Sequence, residues 1–97
     1  MKTIYKYPMR GVGINELNLP VGAKILTAQM QGDALMVWAL VDDHPDRLTD
    51  PRTFYVLGTG WNAEMLYREN EEDIATYLAT VQQKDGFVGF VWHVFYR

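Results

Sequence analysis

The sequence predicts a mainly β fold: a small antiparallel β-barrel or β-sandwich of six to seven strands with at most one short helix. Apolar and polar residues alternate with a period of two over many short segments. Glycine, proline, asparagine and aspartate separate these segments, as is typical of strands joined by tight turns. The 97 residues, 48% of them hydrophobic, suffice for one core, so we expect a single β-rich domain over residues 1–97.

The first half of the chain predicts four strands separated by turn residues. Pro8 ends the first strand, and Pro20 with Gly22 supplies a turn between the second and the third. The dipeptide Gly32-Asp33 fits a tight hairpin turn, so we expect the third and fourth strands to pair. The four predicted strands cover residues 2–7, 13–19, 23–31 and 34–42.

The second half begins with a polar segment, residues 43–52, which we interpret as a loop because it contains two prolines. Asn62 can cap a short helix over residues 63–68. Residues 74–83 fit either a helix or a strand, and the turn residues that follow favour a strand from Thr76 onward. The predicted strands here cover residues 53–57, 76–83 and 87–96, with a hairpin turn at Lys84-Asp85-Gly86.

Two predicted strands, residues 34–41 and 87–96, are apolar on both faces. An antiparallel sheet usually exposes one face to water, so such strands need cover on both sides. A helix, a second sheet or a neighbouring subunit could supply this cover. We therefore expect the protein to form a homo-oligomer.

Composition excludes several classes of function. The chain has no cysteine and no serine, which excludes disulfides, thiolate zinc sites and Cys or Ser nucleophiles. A net charge of -3 argues against direct binding of a nucleic-acid backbone, which requires a basic surface. Neither a signal peptide nor an apolar run long enough to cross a bilayer is visible, so we expect a cytoplasmic protein with no membrane partner. We expect no cofactor and no enzymatic activity.

The segment Gly58-Thr59-Gly60-Trp61 is the most specific local feature of the sequence. Two glycines that flank a threonine between a strand and a capped turn can expose backbone N–H groups to an anion. The adjacent Trp61 can stack on a base. We therefore predict a ligand-binding loop at Gly58, Thr59, Gly60 and Trp61, assisted by Arg52 or Arg68; the alternative is a turn that needs a positive φ.

The acidic residues around the fourth strand's end form a second candidate surface. Asp42, Asp43, Asp46 and Asp50 either belong to a solvated loop or form an acidic face that meets a basic partner protein. With His44 they are the densest set of potential metal ligands, but their spacing matches no known metal loop, so we predict no metal site. The other histidine, His93, is expected at a half-buried strand face or in a subunit contact.

Short motifs spread over nearly the whole chain stand out together: KTIYKYP at residues 2–8, LPVGAKIL at 19–26, VWALVD at 37–42, RTF at 52–54, GTG at 58–60, ATVQ at 79–82 and VWHVF at 91–95. Together they resemble a family of small phage and prophage proteins that is known only as a domain of unknown function. The resemblance implies an accessory protein in the cytoplasm of a bacterial host. Small phage proteins without catalytic residues commonly act by binding, and many oppose host immunity.

Two mechanisms suit such a protein. In the first, an oligomer sequesters an anionic nucleotide messenger of host immunity through the Gly58–Trp61 loop. In the second, the acidic face blocks a host defence protein that normally binds nucleic acid. A small structural phage protein is a further alternative.

Overall fold

A computed structural model describes residues 1–67, 75–85 and 88–97 of the chain. Seven strands and one short 3-10 turn, Glu64–Leu66, make up the regular structure of these residues. The strands are β1 (Lys2–Pro8), β2 (Gly13–Pro20), β3 (Lys24–Gln31), β4 (Ala34–Asp42), β5 (Thr49–Gly58), β6 (Thr76–Asp85) and β7 (Val88–Tyr96).

The strands form two antiparallel sheets that face each other. The three-stranded sheet has the order β1-β4-β3, and the four-stranded sheet has the order β2-β5-β7-β6. The sheets do not close into a barrel. The predicted mainly β fold is therefore confirmed, and of its two architectures the sandwich is the one that forms.

The predicted hairpin between the third and fourth strands is confirmed. Gln31 pairs with Ala34, so Gly32 and Asp33 alone make the turn. The strand expected from Thr76 onward is also confirmed, because β6 begins at that residue and pairs with β7 as far as Asp85. Gly86, part of the other predicted turn, lies outside the described residues.

The predicted polar loop over residues 43–52 is wrong at its end, because β5 already begins at Thr49. Pro51 lies inside this strand, opposite Asn18 of β2. A proline lacks an N–H and is tolerated where no partner strand needs one. Here β7 pairs with β5 only from Phe54 onward, so the far side of β5 has no ladder at Pro51.

The predicted helix over residues 63–68 is reduced to the 3-10 turn Glu64–Leu66. The side chain of Asn62 does act at its start, since its amide oxygen accepts a hydrogen bond of 2.8 Å from the N–H of Glu64. No helix in the described part of the chain is long and apolar enough to cross a membrane.

The main core lies between the sheets. On β4 the side chains of Val37, Ala39 and Val41 point into it, whereas Trp38 and Leu40 lie on the outer face. A smaller cluster covers the outer face of the other sheet, where Leu66 of the 3-10 turn packs on β5. The buried members of the main core are Leu17, Leu19, Ala23, Ile25, Ala28, Val37, Ala39, Val41, Phe54, Ala79, Val81 and Val94.

The two surfaces singled out in the sequence lie at opposite ends of the sandwich. β5 has ten residues and so spans about 33 Å. The acidic segment 42–50 includes the first two residues of β5, and the segment 58–61 begins at its last residue. We call the end that carries the acidic segment the acidic end. We call the opposite end the cleft end, after the cavity between the sheets that is described below.

Candidate functional site

The segment Gly58–Trp61 forms a closed four-residue turn. The N–H of Trp61 donates a hydrogen bond of 3.2 Å to the carbonyl of Gly58. Gly60, the third residue, has a φ of 84°, the value that a type II turn requires there. The alternative interpretation, a turn that needs a positive φ, is therefore confirmed at Gly60. Since the turn itself uses the N–H of Trp61, that group is not free to bind an anion.

The turn holds the ring of Trp61 directly over its own first residue. A Cβ atom added to Gly58 would lie 2.7 Å from two atoms of the Trp61 indole, so only a glycine leaves room for the ring. Trp61 in turn meets Trp92 edge to face, with ring centroids 5.4 Å apart. Phe90 stacks on Trp92 at 5.7 Å with its ring plane tilted by only 10°. Three aromatic rings therefore lie together at the cleft end, with Trp92 at their centre.

A chain of side-chain hydrogen bonds ties the turn to the four-stranded sheet. The Oγ1 atom of Thr59 lies 2.7 Å from Nε2 of His93, whose Nδ1 atom lies 3.1 Å from Oγ1 of Thr80. The hydroxyl of Tyr77 completes the chain at 2.8 Å from Thr80. A neutral imidazole donates at one nitrogen and accepts at the other, and hydroxyls can serve both. His93 is half-buried on the outer face of β7, the first of its two predicted environments.

A cleft of about 360 Å³ opens between the two sheets at the cleft end. Its size lies within the range of small-molecule sites. The indole of Trp92 lines it and is fixed by a 2.9 Å hydrogen bond from Nε1 to Oε1 of Gln83. The lining is apolar at Met9, Val12, Met30, Ala34, Leu35, Val56 and Trp92, and carries Arg10, Gly11, Asp33 and Gln83 as well.

The buried side chain of Asn15 holds the loop that brings Arg10 to the cleft. Its Oδ1 atom accepts a hydrogen bond of 2.9 Å from the N–H of Arg10, and its Nδ2 atom donates one of 2.9 Å to the carbonyl of Gly11. Both bonds anchor the backbone and leave the guanidinium exposed. Asn15 thus fixes the backbone position of Arg10 and makes no contact with the guanidinium in these two bonds.

A second, smaller pocket of about 220 Å³ lies on the other side of the aromatic cluster. The turn, His93 and Phe95 line it, together with Leu66 of the 3-10 turn. Trp61 lines this pocket while its neighbour Trp92 lines the cleft, so the indole pair lies between the two cavities.

The arginines expected to assist the turn do not join it in the described structure. Arg52 lies near the acidic end, six residues before Gly58 on β5 and thus about 20 Å away. Its guanidinium donates to the carbonyls of Ala23 and Arg97, at 3.1 and 3.2 Å, and lies 5.9 Å from the ring centre of Tyr96. Arg68 lies outside the described residues.

The four aspartates of the acidic segment divide into two pairs. Asp42 binds the N-terminal ammonium group at 3.1 Å, and this hydrogen bond lowers the pKa of its carboxyl below the ordinary value. Asp43 accepts hydrogen bonds from the hydroxyl of Tyr5 and from the guanidinium of Arg47. Asp46 and Asp50 are exposed, as Asp42 is, but within the described residues they form no ion pair, so these two carboxylates are the members of the expected acidic face that the structure leaves for a partner. Within the described residues, no group of three or more acidic or histidine side chains is arranged to hold a metal ion.

Comparison with known families assigns the chain by sequence. The model of a family described as a domain of unknown function, DUF7352, matches residues 1–97. The chain belongs to the DUF7352 family. Searches of curated proteins and of solved structures found no significant match.

Sequence reasoning missed the residues that form the cleft of this DUF7352 domain. Arg10, Asn15 and Trp92 come together there from two strands and a loop that are distant along the chain. A local signal does exist at two glycines: Gly11 lies in the connection between β1 and β2, and Gly13 begins β2. Nothing in the sequence indicates that this connection faces Trp92, because the register between strands decides it.

Proposed function

We propose that this DUF7352 protein binds, and does not convert, an anionic small molecule that carries an aromatic ring, which is the chemistry of a nucleotide. The observation that carries the proposal is the cleft between the sheets, with an aromatic wall at Trp92 and a cation, Arg10, at its rim. The cleft's volume of about 360 Å³ suits a ligand of this size.

The aromatic wall supports recognition of a flat ring. Trp92 is held from three sides, by Trp61, by Phe90 and through its hydrogen bond to Gln83. A ring fixed in this way loses little further freedom when a base stacks on it, so more of the stacking free energy is retained as affinity. Stacking of a base on an aromatic side chain contributes about 1–3 kcal/mol by alanine substitution.

The rim supports recognition of an anion and of polar groups. Arg10 is exposed at the cleft, and a guanidinium forms strong, often bidentate hydrogen bonds with phosphate oxygens. Asp33 lies on the same rim and can accept hydrogen bonds from the hydroxyl groups of a sugar or the amino group of a base. The rim thus combines one group for phosphate with another for the sugar or base.

In a phage-encoded setting, binding of this kind would sequester a nucleotide messenger on which host immunity depends. The role in counter-defence is proposed from the resemblance to phage and prophage proteins together with the cleft. Binding without conversion would suffice for it, because removal of the free messenger silences the signal.

Titration calorimetry against a panel of cyclic and linear nucleotides tests the proposal. A nucleoside without phosphate and inorganic phosphate alone serve as partial ligands, and we expect each to bind more weakly than the complete nucleotide. The bound nucleotide should be recovered chemically intact after the protein is denatured. Absence of heat with every nucleotide would overturn the proposal, and recovery of an altered nucleotide would overturn its non-enzymatic part.

A matched pair of variants locates the site. Trp61→Ala removes the edge-to-face support of Trp92, and an aromatic pair of this kind contributes about 0.5–1.5 kcal/mol, so we expect binding to weaken by about 2- to 10-fold. Tyr67→Ala is the control, because Tyr67 and Trp61 are equally exposed, at 49%, and neither lines the cleft, but Trp61 is the one that contacts the ring of Trp92. Equal affinities of the two variants would contradict the assignment of the cleft.

A second candidate function uses the acidic end. Asp46 and Asp50 are exposed there and could meet a basic host defence protein. This candidate predicts no nucleotide affinity, and loss of inhibition when Asp43, Asp46 and Asp50 are neutralised.

A further inference from the structure

The outer face of the three-stranded sheet is apolar along its centre and basic at its sides. Trp38 and Leu40 of β4 form its centre and are half-buried. Ile4, which pairs with Leu40, is 56% exposed, and Leu26 of β3 is exposed too. We call this surface the lysine face; it consists of Ile4, Lys6, Lys24, Leu26, Trp38 and Leu40.

The charges of the lysine face have one sign. Lys6 lies opposite Trp38, and Lys24 lies opposite Leu40, one on each side of the central strand. The carboxylate of Asp42 stands at the end of the same strand and is already bound to the N-terminal ammonium group. Lys6 donates a hydrogen bond of 2.8 Å to the neutral side chain of Gln31, and within the described residues neither lysine forms an ion pair. An apolar strip between two such lysines fits a partner surface that is apolar at its centre and carries carboxylates at its sides.

The acidic end of the same chain presents such a surface. Leu48 is 75% exposed and lies between the exposed Asp46 and Asp50 in sequence. The cation of this segment, Arg47, is bound to the carboxylate of Asp43. The carbonyl of Leu48 accepts a hydrogen bond of 2.9 Å from the N–H of Val21, which joins two turns into one projection. We call this projection the acidic knob; it consists of Val21, Asp46, Leu48 and Asp50.

We propose that the lysine face of one copy binds the acidic knob of a second copy. Pairing of two lysine faces would place like charges opposite each other, which disfavours that contact. Pairing of the face with the knob brings apolar side chains together and opposes lysines with aspartates. This contact joins two different surfaces, so it builds a closed ring or an open chain of copies. It is separate from the cleft, and neither proposal depends on the other.

Sedimentation velocity with light scattering tests the contact. We expect the wild-type protein at micromolar concentration to exceed the 11.2 kDa of a single chain, and to dissociate between about 50 mM and about 500 mM NaCl, where salt screens exposed charges. The double variant Lys6→Glu with Lys24→Glu reverses the charges of the lysine face. The double variant Asp46→Lys with Asp50→Lys reverses the charges of the acidic knob. Each double variant alone should be monomeric. All four positions are exposed, so both variants should keep the wild-type circular dichroism spectrum.

Mixing the two double variants gives the decisive arm. The reversed face of one then meets the reversed knob of the other, so assembly should return in the mixture although neither component assembles alone. A wild-type particle of 11.2 kDa would overturn the proposal. So would an assembly that responds to the face substitutions and not to the knob substitutions, because that result indicates a different partner surface.

Discussion

The indole of Trp61 meets the indole of Trp92 edge to face, with ring centroids 5.4 Å apart and ring planes at 79°. The two residues belong to different elements, and Gly58 connects them: it pairs with Trp92 across the sheet and lies beneath the ring of Trp61. The Gly-Thr-Gly-Trp turn therefore acts through the aromatic ring it positions. Two other residues of the turn help to hold the Trp61 ring in this position: Thr59 ties the turn to His93, and Gly60 provides the positive φ.

Substitution of Gly58 by alanine tests this placement. The added methyl group would lie 2.7 Å from the Trp61 ring, so the ring must move away from Trp92. We expect the fold to persist, the free energy of unfolding to fall by about 0.5–1.5 kcal/mol as the aromatic pair is lost, and the Trp61 fluorescence to shift to the red. Chemical denaturation and fluorescence measure these effects.

The matched control for this substitution is Gly89→Ala. A Cβ atom at Gly89 meets no atom within 4 Å, so this variant should unfold with nearly the wild-type free energy. Equal destabilisation by both alanines would show that the Trp61 ring does not depend on the space above Gly58.

Asn15 should be the most important polar residue for the stability of the cleft. Asn15→Ala removes the two hydrogen bonds that its side chain makes to the backbone of Arg10 and Gly11, each of which contributes about 0.5–1.5 kcal/mol. Asn18→Ala, at an exposed position of the same strand, should change the free energy of unfolding by less than about 0.5 kcal/mol. Denaturant titration of the two variants checks this, and a similar loss in both would refute the role of Asn15.

The pair Tyr5 and Asp43 predicts a dependence on alkaline pH. The hydrogen bond to Asp43, followed by burial and by the charge of that carboxylate, raises the pKa of Tyr5. A pKa that is higher in the folded state than its unfolded value of about 10 stabilises the fold below that pH, and this contribution is lost as the pH rises above it. Asp43→Ala should therefore lower the pKa of Tyr5 towards its unfolded value, and the variant should no longer lose this contribution to stability at alkaline pH.

Carbon NMR titration of the Tyr5 ring measures that pKa directly. Asp46→Ala is the control, because this substitution removes a neighbouring carboxylate that is not among the causes of the shift. The explanation fails if Tyr5 titrates at the same pH in the wild type and in Asp43→Ala.

Local features of the fold were predictable from the sequence. The turn at Gly32 and Asp33 and the start of β6 at Thr76 follow from turn chemistry and a period of two. The start of β5 was not, because Asp50 and Pro51 are typical of a loop. A proline is tolerated there because the pairing of β7 with β5 ends at Phe54, and this end of the pairing is visible only in the structure.

The candidate site was predictable only in part. Trp61 stood out locally, but sequence offered no means of choosing among the arginines. Arg52 is committed to two backbone carbonyls near the acidic end, while Arg10 reaches the cleft because the connection between β1 and β2 lines the same cavity as Trp92 of β7. Such neighbours are set by strand order and register, which short-range patterns do not encode.

The affinity of Arg10→Ala for the nucleotide that binds the wild type tests the central claim most directly. If Arg10 holds a phosphate at the cleft, its loss should weaken binding by about 10- to 150-fold, as expected for a hydrogen bond to a charged group of about 1.5–3 kcal/mol. Lys2→Ala removes an exposed cation near the acidic end and should leave the affinity unchanged. Equal dissociation constants for the two variants would contradict the account.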